Sequence, residues 1–171
     1  MQNPTENSRQ DIWEIQTALR QWIDLGQFHD PRPVTLTMKQ ALPTGRYGQR
    51  TYLTPEAASQ NVRHFHNVLS KSVLGPRPYR QGERLPMIGV LEHGDDKRLH
   101  YHAIIDCVKP EMRSLFTILI VETWQATRWG YAQIHFGDEA GDLWLRYLAK
   151  RRDKPDFMAC LDVDNWWLPN T

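Results

Sequence analysis

The segment from Met87 to Asp106 constrains the fold more than any other. Met87-Ile-Gly-Val-Leu-Glu-His93 and Arg98-Leu-His-Tyr-His-Ala-Ile-Ile-Asp106 are both rich in strand-forming residues, and only Gly94-Asp-Asp-Lys97 lies between them. So short a link, made of turn residues, joins two strands only in the antiparallel sense. A chain containing this hairpin therefore builds on an antiparallel sheet.

Side chains two apart on a strand share a face. Leu99, Tyr101, Ala103 and Ile105 form one apolar face, while His100 and His102 share the other with Ile104 and Asp106. Two imidazoles about 6–7 Å apart along one strand can converge on a single cation, and imidazole is the commonest metal-binding side chain. Turn length decides which neighbour joins them. A three-residue turn, Asp95-Asp96-Lys97, pairs Gly94 with Arg98 and Glu92 with His100, and a five-residue turn keeps that parity. A two- or four-residue turn substitutes His93 for Glu92. The expected ligands are Glu92, His100 and His102. His64 and His66 repeat the spacing, but on a predicted helix they diverge by about 200°, and His29 and His135 read as structural.

The remaining elements follow from periodicity. Apolar residues at Ile12, Ile15, Leu19, Trp22 and Ile23 predict a helix over 12–25, and Val34 to Met38 alternates as a strand. On that strand Thr35 and Thr37 share a face, which strand propensity alone explains. A Gly- and Arg-rich loop follows. Thr54-Pro55-Glu56 opens a helix that Gly75-Pro76 ends near Leu74, and a basic loop runs from Gly75 to Pro86. A helix over 110–127, a strand over 131–136 and a helix from Asp138 through Arg152 complete the series. The fold class is α+β, a largely antiparallel central sheet with helices packed on it.

At 171 residues the chain fits a single domain, 1–171. No run reaches the roughly 18 apolar residues of a membrane span, and the first ten residues lack the apolar centre of a signal peptide. Two cysteines, Cys107 and Cys160, form no disulfide framework, so a cytoplasmic location is expected. Between Thr44 and Arg84 seven cations face Glu56 and Glu83 alone, a local charge of +5, and Lys150, Arg151, Arg152 and Lys154 form a second basic knot. Both suit a phosphate-tracking surface. Seven tryptophans supply core and, at Trp124, Trp129, Trp166 and Trp167, candidate platforms for unstacked bases, with core the commoner use.

Val34-Thr-Leu-Thr-Met38, His100-Tyr101-His102 and Tyr147-Leu-Ala-Lys150, in that order, resemble the three motifs of His-hydrophobe-His endonucleases, and more narrowly rolling-circle replication initiators, over residues 34–152. Glu92, eight residues before His100, matches the carboxylate that such proteins carry on the preceding strand. The resemblance implies an endonuclease and ligase that nicks single-stranded DNA through a 5′-phosphotyrosine link to Tyr147. It also implies a divalent metal, Mn²⁺ or Mg²⁺, and single-stranded or hairpin DNA at an origin as partner. Lys150 and Arg151, at i+3 and i+4 from Tyr147, share its helix face. There they favour the phenolate and grip phosphate, and Arg46 and Arg50 are further DNA-contacting candidates. Tyr101 departs from the bulky aliphatic usual between the histidines. No P-loop pattern is present, so strand separation is assigned to a separate helicase. A transposase or DNA-transfer nickase, a non-catalytic single-strand-binding module and a hydrolase that uses water are the alternative readings.

Overall fold

The computed structural model describes residues 14, 17, 18, 21, 23–45, 47–94, 97–138 and 160–169. Among the described residues, six strands, β1 (Pro31–Met38), β2 (Ala41–Pro43), β3 (Arg50–Tyr52), β4 (Met87–Gly94), β5 (Lys97–Asp106) and β6 (Gly130–Phe136), are joined by helices α1 (Pro55–Leu74), α2 (Pro76–Arg80) and α3 (Arg113–Ala126). The central sheet has the order β4-β5-β1-β6, every neighbouring pair antiparallel. The α+β expectation holds. Among the described residues no helix is long and apolar enough to cross a membrane.

α1 begins where the sequence places it. The Thr54 hydroxyl accepts from the Ala57 N–H at 3.3 Å, Pro55 fills the first turn, and Gly75 ends the helix at φ 91°. Its buried residues Ala58, Val62, Phe65, Leu69 and Val73 make a stripe against the sheet, and Phe116, Ile120 and Trp124 of α3 extend it. They meet Val34, Leu36, Met38, Met87, Leu91, Leu99, Tyr101, Ala103 and Ile105 on one face of the sheet. Gly89 makes room for Tyr101: a Cβ there would stand 2.5 Å from the tyrosine Cε1. On the other face, among the described residues, Ile88 and Ile104 are covered by Ile23 and Phe28, with Trp166 and Leu168 packed alongside, and Val90 is buried next to them.

Several boundaries differ from the sequence reading. β1 starts at Pro31, three residues early. Its prolines occupy the end that runs past β6, where Gly137 donates to the Pro33 carbonyl at 2.9 Å, so the missing N–H groups break no ladder bond. The Gly- and Arg-rich loop contains the β2–β3 hairpin, and the basic loop contains α2. Pro110–Met112 is a 3₁₀ turn preceding α3. The helix expected over 12–25 is helical at Glu14, Thr17, Ala18 and Gln21, and gives way to a 3₁₀ turn over Leu25–Gln27. Of the helix expected from Asp138 through Arg152, residues 139–152 lie outside the described residues.

Candidate metal centre

Glu92 pairs with His100 across β4 and β5. The route to that pairing differs from the one expected. Gly94 pairs with Lys97, not Arg98, and between these two pairs β4 advances two residues while β5 advances three. The short turn alone would have brought His93 into register. The bulge restores the parity and returns Glu92 to the histidine face.

Donor atoms of Glu92, His100 and His102 all lie within 4.8 Å of one another. The Nε2 atoms of His102 and His100 stand 2.8 Å and 3.3 Å from the same Glu92 oxygen, Oε2. Glu92 and His102 are buried, while the His100 side chain keeps 22% of its surface exposed. The cluster is therefore buried at Glu92 and His102 and reaches solvent at His100.

Hydrogen bonds behind the cluster aim it. His100 Nδ1 lies 2.8 Å from the Arg98 carbonyl. A carbonyl only accepts, so that nitrogen carries the proton. His100 Nε2 is therefore the ring nitrogen turned toward the carboxylate, and the one that would be offered to a metal. His102 Nδ1 is 2.9 Å from the Thr35 hydroxyl of β1, which pairs with His102 across the sheet. A hydroxyl bonded to one ring nitrogen holds the ring with its other nitrogen turned toward the Glu92 carboxylate, where a metal would sit. Two imidazoles and a carboxylate, braced this way, fit a divalent ion of the manganese, iron or zinc type.

Thr35 is the residue that the sequence reading undervalued. Its shared face with Thr37 was visible, but only the pairing of β1 with β5 turns that face into a support for His102. Other expectations divide. His64 is exposed and His66 buried, so that pair does diverge. His66 Nε2 donates to the Leu85 carbonyl at 2.8 Å, and burial lowers its pKa to about 4. His29 is structural: its Nδ1 lies 3.2 Å from Asp106, whose buried carboxylate also accepts from the backbone N–H groups of His29 and Asp30. Trp124 and Trp129 are core, whereas Trp167 is 41% exposed beside the Arg84 guanidinium.

The described cations between 44 and 84 are spread along α1 and beyond both its ends. Arg50 is exposed on the β2–β3 hairpin, but the twenty residues of α1, about 30 Å at 1.5 Å per residue, separate it from Arg77 and Arg80. Arg46, Tyr147, Lys150 and Arg151 lie outside the described residues.

The family model for the replication-associated protein ORF2 matches residues 31–156, from the first residue of β1 to beyond Tyr147 and Lys150. Neither the curated proteins nor the solved structures contain a match. The matched span includes the entire sheet and all three residues of the metal cluster. This chain belongs to the replication-associated protein ORF2 family of rolling-circle replication initiators.

Proposed function

We propose that the chain nicks single-stranded DNA at an origin to start rolling-circle replication, using a divalent metal held by Glu92, His100 and His102 and Tyr147 as nucleophile. The observation that carries this reading is the half-open cluster of two imidazoles and one carboxylate in a chain of a replication-initiator family. A divalent ion bound there, Mn²⁺ or Mg²⁺, would supply Lewis-acid polarisation of the scissile phosphate.

The chain's own groups do the rest. Glu92 and His102 fix the buried side of the site, Thr35 holds His102 in orientation, and His100 stands at the rim facing solvent. Tyr147 attacks phosphorus through its phenolate oxygen. The P–O3′ bond breaks, the leaving oxygen takes a proton to become a 3′-hydroxyl, and the 5′ side stays joined to tyrosine. One phosphodiester replaces another, so the reverse attack by a 3′-hydroxyl reseals the strand. Free tyrosine has a pKa of about 10, and Lys150 and Arg151, three and four residues further along, favour the phenolate and hold phosphate. Arg46 and Arg50 add cations near the β2–β3 hairpin that follows β1. Origin DNA in unpaired or hairpin form is the partner, with a separate helicase opening the duplex.

The test is a denaturing gel of protein incubated with pooled single-stranded oligonucleotides and Mn²⁺. Wild type yields a covalent protein–DNA band. Tyr147→Phe binds metal and DNA but yields none, and His102→Ala loses metal affinity along with cleavage. Cutting by Tyr147→Phe with no adduct would show that water attacks and would refute the tyrosine mechanism.

A further inference from the structure

The metal cluster occupies only part of its face of the sheet, and the register shows what lies beside it. His102 pairs with Thr35, and Thr35 pairs in turn with His135 of β6. Ile134 opposes the core residue Leu36, so Gln133 and His135 on either side of it belong to the other face. β6 then bulges, four residues against two of β1, and because Gly130 again opposes the core residue Met38 the parity returns and places Tyr131 with them. Tyr131 (44% exposed), Gln133 and His135 are all open to solvent. Two strand spacings of about 4.8 Å put this row about 10 Å from the histidines.

The row is held firmly. The Thr37 hydroxyl donates to the Gln133 carbonyl. From the helix side, Gln125 Nε2 donates to the Ala132 carbonyl at 3.3 Å. A strand fastened to the sheet on one side and to a helix behind is a rigid platform for recognition, of the kind a loop does not provide. Its chemistry is that of base reading. A tyrosine ring stacks on an unpaired base, an imidazole stacks or meets phosphate, and a carboxamide offers a donor and an acceptor to a base edge. No acidic side chain stands in the row to repel a phosphate backbone.

We infer that Tyr131, Gln133 and His135 form a specificity row that reads the unpaired bases next to the scissile phosphate of single-stranded DNA. This deepens the proposed nickase reading and rests on it. A strand whose scissile phosphate sits at the cluster crosses Thr35 and Thr37 and lays its neighbouring bases over β6. The flat row reaches base edges only when the bases are unpaired, so a duplex does not satisfy it.

Two measurements test this. The first is fluorescence polarisation of a labelled mixed-sequence single strand, and of the same sequence as a duplex, with metal-free protein. Tyr131→Ala weakens single-strand binding about tenfold, the loss of one base stack, and leaves duplex binding unchanged. Ala132→Ser, on the helix side of the same strand, binds as wild type does. The second is sequencing of cut ends from a randomised single-stranded pool with Mn²⁺. Gln133→Ala still cuts, but its base preference at a position beside the cut is flattened. Single-strand affinity of Tyr131→Ala equal to wild type, equal losses on duplex, or a Gln133→Ala cut-site profile superimposable on wild type overturns the row. If wild type cuts nothing, the nickase reading fails by itself and the polarisation arm still decides whether the row binds single strands.

Discussion

The two faces of β5 carry opposite duties on alternate residues. Toward the helices, Leu99, Tyr101, Ala103 and Ile105 are buried among the side chains of α1 and α3. Toward the other side, His100 and His102 face Glu92 and Thr35, next to buried Val90 and to Ile88 and Ile104 beneath the 23–28 segment. One face supplies folding free energy through apolar burial. The other holds polar groups whose value lies in their aim. Alternation keeps the two separable, so a substitution that disturbs one should leave the other largely intact.

The largest effect tests that separation from the core side. Phe65 is fully buried, edge-on to Trp124 with ring centroids 5.4 Å apart. Phe65→Ala should cost about 3–5 kcal/mol of stability in urea unfolding, while the folded fraction keeps wild-type Mn²⁺ affinity. An equal fall in metal affinity would mean that the faces are coupled.

Acid probes the same side. His66 has its pKa lowered to about 4 by burial, with the nearby Arg84 charge adding to the effect and the hydrogen bond to the Leu85 carbonyl opposing it. The unfolded chain takes up a proton as pH falls through 6.5, which the folded chain refuses until about pH 4. Stability from this residue is full above pH 6.5, declines by at most about 1.4 kcal/mol per pH unit, and levels off below pH 4. Urea midpoints from pH 7 to 4 should fall less steeply in His66→Gln, and matching slopes would remove His66 from the account.

On the polar face, Glu92→Gln keeps shape and removes the anion. Calorimetric Mn²⁺ affinity should drop by more than about 100-fold, with a far smaller change in Tm without metal than Phe65→Ala produces. The smallest effect belongs to Thr35→Val, which removes only the hydroxyl behind His102. It should weaken Mn²⁺ binding about tenfold and leave unfolding near wild type. An unaltered affinity would reduce Thr35 to a packing residue.

What the sequence made legible was local. The hairpin, the division of β5 into two faces and the stripe of α1 all follow from spacing over a few residues. The partnership of Glu92 with His100 was legible in parity but not in mechanism, since a short turn and a bulge give the same parity as a longer turn. The place of β1 between β5 and β6 was not legible. That contact joins residues 67 apart at Thr35 and His102, and no local signal encodes it. The β2–β3 hairpin escaped notice because each strand has three residues and Pro43 and two glycines interrupt the pattern. The spread of the basic stretch was not legible either, since its cations are close in sequence but run along and beyond a helix of twenty residues. Tyr147, Lys150, Arg151 and Arg46 rest on sequence and family alone.

The hollow at Gly89 has a consequence for how this site can change over generations. Tyr101 lies where its ring occupies the space that any side chain at position 89 would need, because a Cβ there meets Cε1 at 2.5 Å and the His102 carbonyl at 2.7 Å. The residue between the two metal histidines and the residue at 89 are therefore not free to vary independently. A lineage that exchanges Tyr101 for a slimmer aliphatic passes through a loosened but foldable intermediate. One that first adds a side chain at 89 passes through a crowded intermediate, where overpacking costs about 1–3 kcal/mol. Position 101 can thus change while position 89 stays glycine, because the His102 carbonyl still stands 2.7 Å from a Cβ at 89 once the ring is gone. A double-mutant cycle of Gly89→Ala and Tyr101→Leu reads that coupling directly, as a Gly89→Ala penalty that shrinks once the ring is gone.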